Sequence, residues 1–264
     1  MTNDNVEIHG WKANVRDSDN SILGIVTDKY KVVQNTEAFE FTDNLLGNGV
    51  RYETAGSLAS GKRIWLLAKM ETSTITGEDI DPYLVFTNSH DGSNAIKVAM
   101  TPVRVVCQNT LNFALQNASR TWSAIHTGNI ATKLEEAKET LFNAKEYMTE
   151  LDKEFGILKN AKIDDNKLRE LVNDLVPITD KDSDKQKDKI NTMKNEIIYR
   201  YYNAPDLKDR EESLFRFVNA VSDFATHTQP QRKTYDWQNN MFMRTIDGNA
   251  LIDRSYRMAS AIAA

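Results

Sequence analysis

The hydrophobic period of the chain changes once, near Gly128, and that change limits the folds open to it. Before Gly128, the segments 11–16, 22–27, 50–55, 63–69, 83–87 and 95–100 are short and rich in β-branched or aromatic residues, the composition of strands. Turn formers separate them at 17–21, 47–49, 57–61 and 91–94, and connections this short favour antiparallel pairing. One helix is expected to interrupt the series over 36–46, where Phe39, Leu45 and Leu46 share a face and Gly47 ends the element. After Gly128 the period becomes helical: Ile130, Leu134, Ala137, Leu141, Ala144, Met148 and Leu151 recur at steps of three and four, so one long helix is expected over 129–155, closed by Gly156. Further helices are expected at 166–175, 185–202, 210–227 and 249–263, with Pro177, Pro205 and Pro230 as stops between them. The expected class is α+β: a curved, mainly antiparallel sheet with one early helix, followed by a helical C-terminal half. Residues 1–128 form the sheet-rich region, and 129–264 a helical region packed on it as one unit.

With 264 residues, 40% of them apolar and 27% charged, the chain has enough apolar surface to offset the entropy of ordering it. A single cysteine, Cys107, excludes an internal disulfide framework and points to a reducing compartment. Residues 1–10 are polar and acidic without an apolar leader core, and no run approaches the roughly 18 apolar residues of a membrane span. The expected location is therefore the cytoplasm, with no membrane partner. A net charge of -5 argues against coating duplex DNA by bulk charge, which needs Lys and Arg presented together.

Local charge is less even than that total. Between Asp91 and Glu135 the chain carries no acid, yet it carries Lys97, Arg104, Arg120 and Lys133. The window also holds Asn109 among many amides and hydroxyls, and the aromatic Trp122. Cations, amides and rings are what a groove needs to follow a phosphodiester backbone and stack unpaired bases. Arg63 and Lys69 on a neighbouring strand extend the set. The plainer reading is an amphipathic stretch whose polar groups satisfy turns and strand ends. His90 and Asp91 form a candidate functional turn: a histidine titrates near neutral pH, and Asp91 with Gly92 also suits a tight turn without further role. No phosphate loop, dinucleotide fingerprint, zinc motif or nucleophile elbow occurs, and the histidines show no ligand spacing. No catalytic residue, metal or cofactor is expected.

Several blocks in order carry a resemblance. Gly24-Ile-Val-Thr-Asp-Lys-Tyr-Lys-Val-Val-Gln-Asn35, Glu37-Ala-Phe39, Thr54-Ala-Gly-Ser-Leu58, Asn88-Ser-His-Asp-Gly-Ser93 and Thr101-Pro-Val-Arg-Val-Val-Cys-Gln-Asn-Thr-Leu111 resemble domain of unknown function 932, a phage/plasmid-like protein family. That resemblance implies a mobile-element context near replication or recombination, and no enzymatic activity. Single-stranded DNA is accordingly the first expected partner, bound by a homo-oligomeric annealing protein in the cytoplasm of a bacterial host. The alternative is a phage anti-defence protein that binds a host protein or a signalling nucleotide without catalysis.

Overall fold

The computed structural model describes residues 9–37, 51–104, 121–137, 139–228 and 248–264. Strands β1 (Trp11–Val15) and β2 (Ile22–Thr27) pair antiparallel as a separate hairpin. A larger sheet contains β3 (Arg51–Leu58), β4 (Arg63–Lys69), β5 (Ser73–Ile75), β6 (Glu78–Ser89), β7 (Ile96–Arg104) and β8 (Thr121–Ala124). Its order is β3-β4-β6-β7-β8, with β5 pairing beside β6. Those pairs whose register is described are antiparallel.

Side chains alternate between the two faces of a strand, and here the alternation selects the core face. Leu66 and Ala68 of β4 lie opposite Phe86 and Leu84 of β6, and Ile96 and Val98 of β7 join the same buried cluster. Helix α1 (Ile130–Ala137) packs Ile130, Leu134 and Ala137 against it.

The described residues fall into two compact units. One holds the hairpin, β3, β4, β8, α1, β6 from Tyr83 onward and β7 as far as Met100. The other holds β5, the start of β6 and the helices from Ala144 on: most of α2 (Glu139–Asn160), then α3 (Asp165–Leu175), α4 (Asp184–Asn203), α5 (Leu214–His227) and α6 (Ala250–Ala263). Within this second unit α5 is buried on every side from Leu214 to Phe224, and Phe155 of α2 meets its Phe215 edge-on at 5.0 Å. Arg216, only 4% exposed, is satisfied by donating to the carbonyls of Tyr201, Lys208 and Arg210, and so ties the end of α4 to the loop that follows it.

The class read from the sequence holds: antiparallel sheets come first, and the C-terminal half is helical. Details differ for physical reasons. Backbone at 35–37 is helical, and the remainder of the expected early helix, 38–46, lies outside the described residues. The long helix expected over 129–155 is described as α1 and α2 on either side of residue 138, which lies outside the described residues, and α2 runs through Gly156 to Asn160. Glycine costs a helix about 1 kcal/mol against alanine, but the buried face of Leu151, Phe155 and Leu158 continues past it and outweighs that cost. Helix α5 starts four residues later than expected because the Ser213 side chain accepts from the Arg216 amide and caps it there. Strands β5 and β8 were not foreseen; three and four residues are too few to show a period.

A methyl group added at Gly156 meets no atom within 4 Å. Gly156→Ala is therefore expected to stabilise the protein by about 0.5–1 kcal/mol, read as a higher midpoint in denaturant unfolding; an unchanged or lower midpoint would contradict this account of α2.

Candidate functional site

The last two residues of β6 and the one after them, Asn88-Ser89-His90, are buried although all three are polar. Buried polar groups need partners, and the segment Asn14 to Asn35 supplies most of them. Asn14 Nδ2 donates to the His90 carbonyl at 2.6 Å, the Tyr30 hydroxyl donates to the Ser89 carbonyl, and Asn88 Nδ2 donates to the Val33 carbonyl at 3.0 Å. The His90 amide itself donates to Lys62. Packing here is close: a Cβ at Gly24 would stand 2.4 Å from the Asp91 Cα, so only glycine lets β2 approach the turn.

His90 Nε2 lies 3.0 Å from Asn35 Oδ1. An amide oxygen only accepts, so Nε2 carries the proton and Nδ1 keeps its lone pair. Burial holds the imidazole below its ordinary value of 6.5, partly opposed by Asp91. Asp91 forms the tight turn foreseen for it, accepting from the Ser93 amide at 2.9 Å, with Gly92 at φ +73°. Asn35, the first residue of the helical backbone at 35–37, turns its side chain to His90, and the amide of Gln34 before it donates to Glu37.

A second histidine, His126, stacks on Tyr30 with ring centres 4.4 Å apart and its Nδ1 3.0 Å from the Lys31 carbonyl. Its Nε2 is buried without a partner. Burial, with His90 and Lys133 as neighbouring charges, keeps this ring below the ordinary value too. No pattern of spacing could have revealed it, because His126 reaches Tyr30 only through the fold.

The residues singled out from the sequence are divided by the sheet. Arg63, Trp65, Leu67 and Lys69 fall at every second residue on one face of β4, the face opposite Leu66 and Ala68. Lys97, between Ile96 and Val98, emerges on that same face. Val85, Thr87, Ser89 and Ala99 of this face are buried, so solvent meets it mainly on the β3–β4 side. Trp122 is opposite Val98 and packs against the core, on the other face. The Lys133 ammonium donates to the carbonyls of Ile125 and Thr127 and closes the β8–α1 connection. Arg104 ends β7 with its side chain outside the description, and Asn109 and Arg120 lie outside the described residues.

Residues that the sequence reading passed over complete the cationic face. The antiparallel register sets Arg51, Lys69 and Tyr83 in one row across β3, β4 and β6, and Gly56, Trp65 and Thr87 in another. A Cβ at Gly56 would lie 2.7 Å from the Trp65 ring, so the indole rests directly on the β3 backbone. Alternation of Arg63, Trp65 and Lys69 at a period of two was the signal that could have found this tryptophan.

An α+β protein with a separate hairpin clamped on a buried polar strand end is the class that these features define. The chain belongs to the family described as Domain of unknown function (DUF932), whose model matches residues 22–246. No curated protein and no solved structure matches it. Among the described residues no helix is long and apolar enough to cross a membrane, and no three His, Cys, Asp or Glu gather as metal ligands.

The two buried histidines set a pH dependence. Their folded values lie below 6.5, so the unfolded chain takes up protons first; the stability they contribute is complete above about pH 6.5 and is lost as pH falls below it. Denaturation midpoints are expected to drop between about pH 7 and 5.5, with both imidazoles titrating below 6.5 by NMR. Titration of either ring above its ordinary value would refute the burial argument.

Proposed function

We propose that the chain binds single-stranded nucleic acid along the β3–β4 side of the larger sheet. Trp65 stacks an unpaired base, and Arg51, Arg63 and Lys69 hold backbone phosphates on either side of it. The observation that carries this reading is the close contact of the Trp65 indole with Gly56, between those cations along the strand pair. Six residue steps separate Arg63 from Lys69, about 20 Å of strand, long enough for several nucleotides of an extended strand. Stacking on an aromatic ring tolerates any base, and phosphate contacts carry no sequence information, so binding is expected to be largely sequence-independent. Single strands are favoured over duplex because the indole can reach only a base that is not already stacked within a helix.

Lys97 lies farther across the same face, and Arg104, Arg120 and Asn109 belong to the reading through their place in the acid-free segment. The wider proposal is an annealing role in replication or recombination of a mobile element, in a homo-oligomer within the bacterial cytoplasm. A mass measurement in solution tests the assembly.

The test is fluorescence anisotropy with labelled single- and double-stranded oligonucleotides across a salt series. Affinity for single strands is expected to fall with salt. The double variant Arg63→Ala/Lys69→Ala should reduce the slope of log affinity against log salt by about 1.4, near 0.7 for each lost phosphate contact, whereas Trp65→Ala should cost about 1–3 kcal/mol with the slope nearly unchanged. Binding indifferent to salt and to all three substitutions would overturn the proposal.

A further inference from the structure

Beneath the β1–β2 hairpin lies a cavity of about 560 Å³, bordered by Asn14, Arg16, Asn35, Ser57, Ile64 and His90. Its position is distinct from the Trp65 face: Ser57 and Ile64 point to the opposite side of the sheet. Such a volume is typical of a small-molecule site.

Three side chains here have unspent hydrogen-bonding capacity among the described residues. Asn14 uses Nδ2 on the His90 carbonyl and leaves Oδ1 as an acceptor. Asn35 uses Oδ1 on His90 and leaves the two hydrogens of Nδ2 as donors. His90 commits Nε2 and leaves Nδ1 as an acceptor. Donor and acceptors therefore border one cavity, fixed by hydrogen bonds on their other atoms.

Charge narrows the ligand class. Arg16 is matched by Asp19 through two contacts and also donates to the Ser60 carbonyl, so its guanidinium is already engaged. Asp17, also on the border, would repel an anion. His90 is kept neutral by burial, so it offers no positive charge at neutral pH. Apolar wall area comes from Val15, Leu23, Val32 and Ile64. Among the described residues that border it, a free phosphate or carboxylate would find no unmatched cation, whereas an uncharged ring with donors and acceptors on its edge would find both its face and its edge satisfied.

We propose that this cavity binds a neutral nucleoside, its base edge read by Asn35, Asn14 and His90 and its base face set against the apolar wall. Hydroxyls of the sugar meet the Ser57 and Thr36 side chains, which also border the cavity. This site stands on its own geometry and does not require nucleic acid on the Trp65 face.

Isothermal titration calorimetry of the full chain at neutral pH, with adenosine, guanosine, cytidine and thymidine as separate probes and inorganic phosphate as the comparison, tests it. Saturable binding of at least one nucleoside is expected, with no heat from phosphate. Asn35→Ala, at an exposed position, should weaken that binding about tenfold or more, and Trp65→Ala should leave it unchanged. In the unaltered protein the His90 ring nitrogens should shift by NMR on nucleoside addition, a readout that needs no variant to fold. Failure of all four nucleosides to bind, binding undiminished in Asn35→Ala, or an unmoved His90 signal would overturn the proposal. A short oligonucleotide bound with loss in Trp65→Ala, while nucleosides do not bind, would remove the cavity site and leave the sheet-face reading standing.

Discussion

Much of the first unit depends on one constraint: a run of three polar residues, Asn88-Ser89-His90, ends a strand inside the protein rather than at its surface. Its backbone carbonyls cannot reach water, and an unpaired buried carbonyl costs more than an average hydrogen bond contributes. Asn14 and Tyr30 meet that demand from 76 and 59 residues away in the chain, and the Val33 carbonyl in turn accepts from the Asn88 side chain. The hairpin is held where it is by this requirement more than by its own apolar area, since Trp11, Val15, Ile22 and Ile25 remain 45–61% exposed. Asn14 and His90 thereby become fixed elements of a cavity wall, and Asn35 is drawn to the same place.

Polar groups solve a comparable problem in the helical unit. Arg216 lies on the most buried helix, yet its guanidinium finds three carbonyls and the face of Tyr201, 4.6 Å from the ring centre. Five fixed donors on a planar group make arginine suited to gathering the carbonyls of a helix end and the loop beyond it. The apolar residues around α5 provide the bulk of the burial, and this one side chain specifies how the chain leaves α4.

The two faces of the larger sheet divide the chemistry. One face, built from Leu66, Ala68, Leu84, Phe86 and Val98, is apolar along most of its area and gives way to the neutral, amide-lined cavity at its end. On the other face the cations Arg63, Lys69 and Lys97 are spaced along strands whose intervening residues include the Trp65 ring. Period-two alternation is enough to keep these properties apart, because neighbouring residues on a strand never share a face.

The sequence by itself determined the class and most of the elements. Alternating β-branched segments with short turns dictated an antiparallel sheet, and apolar residues at steps of three and four dictated the helices, because both patterns act within a few residues. Asp91 with Gly92 was legible as a turn for the same reason. Tertiary structure alone decided what gathers around His90: Asn14, Tyr30, Asn35 and His126 come from distant positions, and no local spacing records a hydrogen bond across 76 residues. It also decided the fate of the candidate binders, packing a partly buried Trp122 against the core and bringing Trp65 onto Gly56, since strand register fixes which residues meet across a sheet.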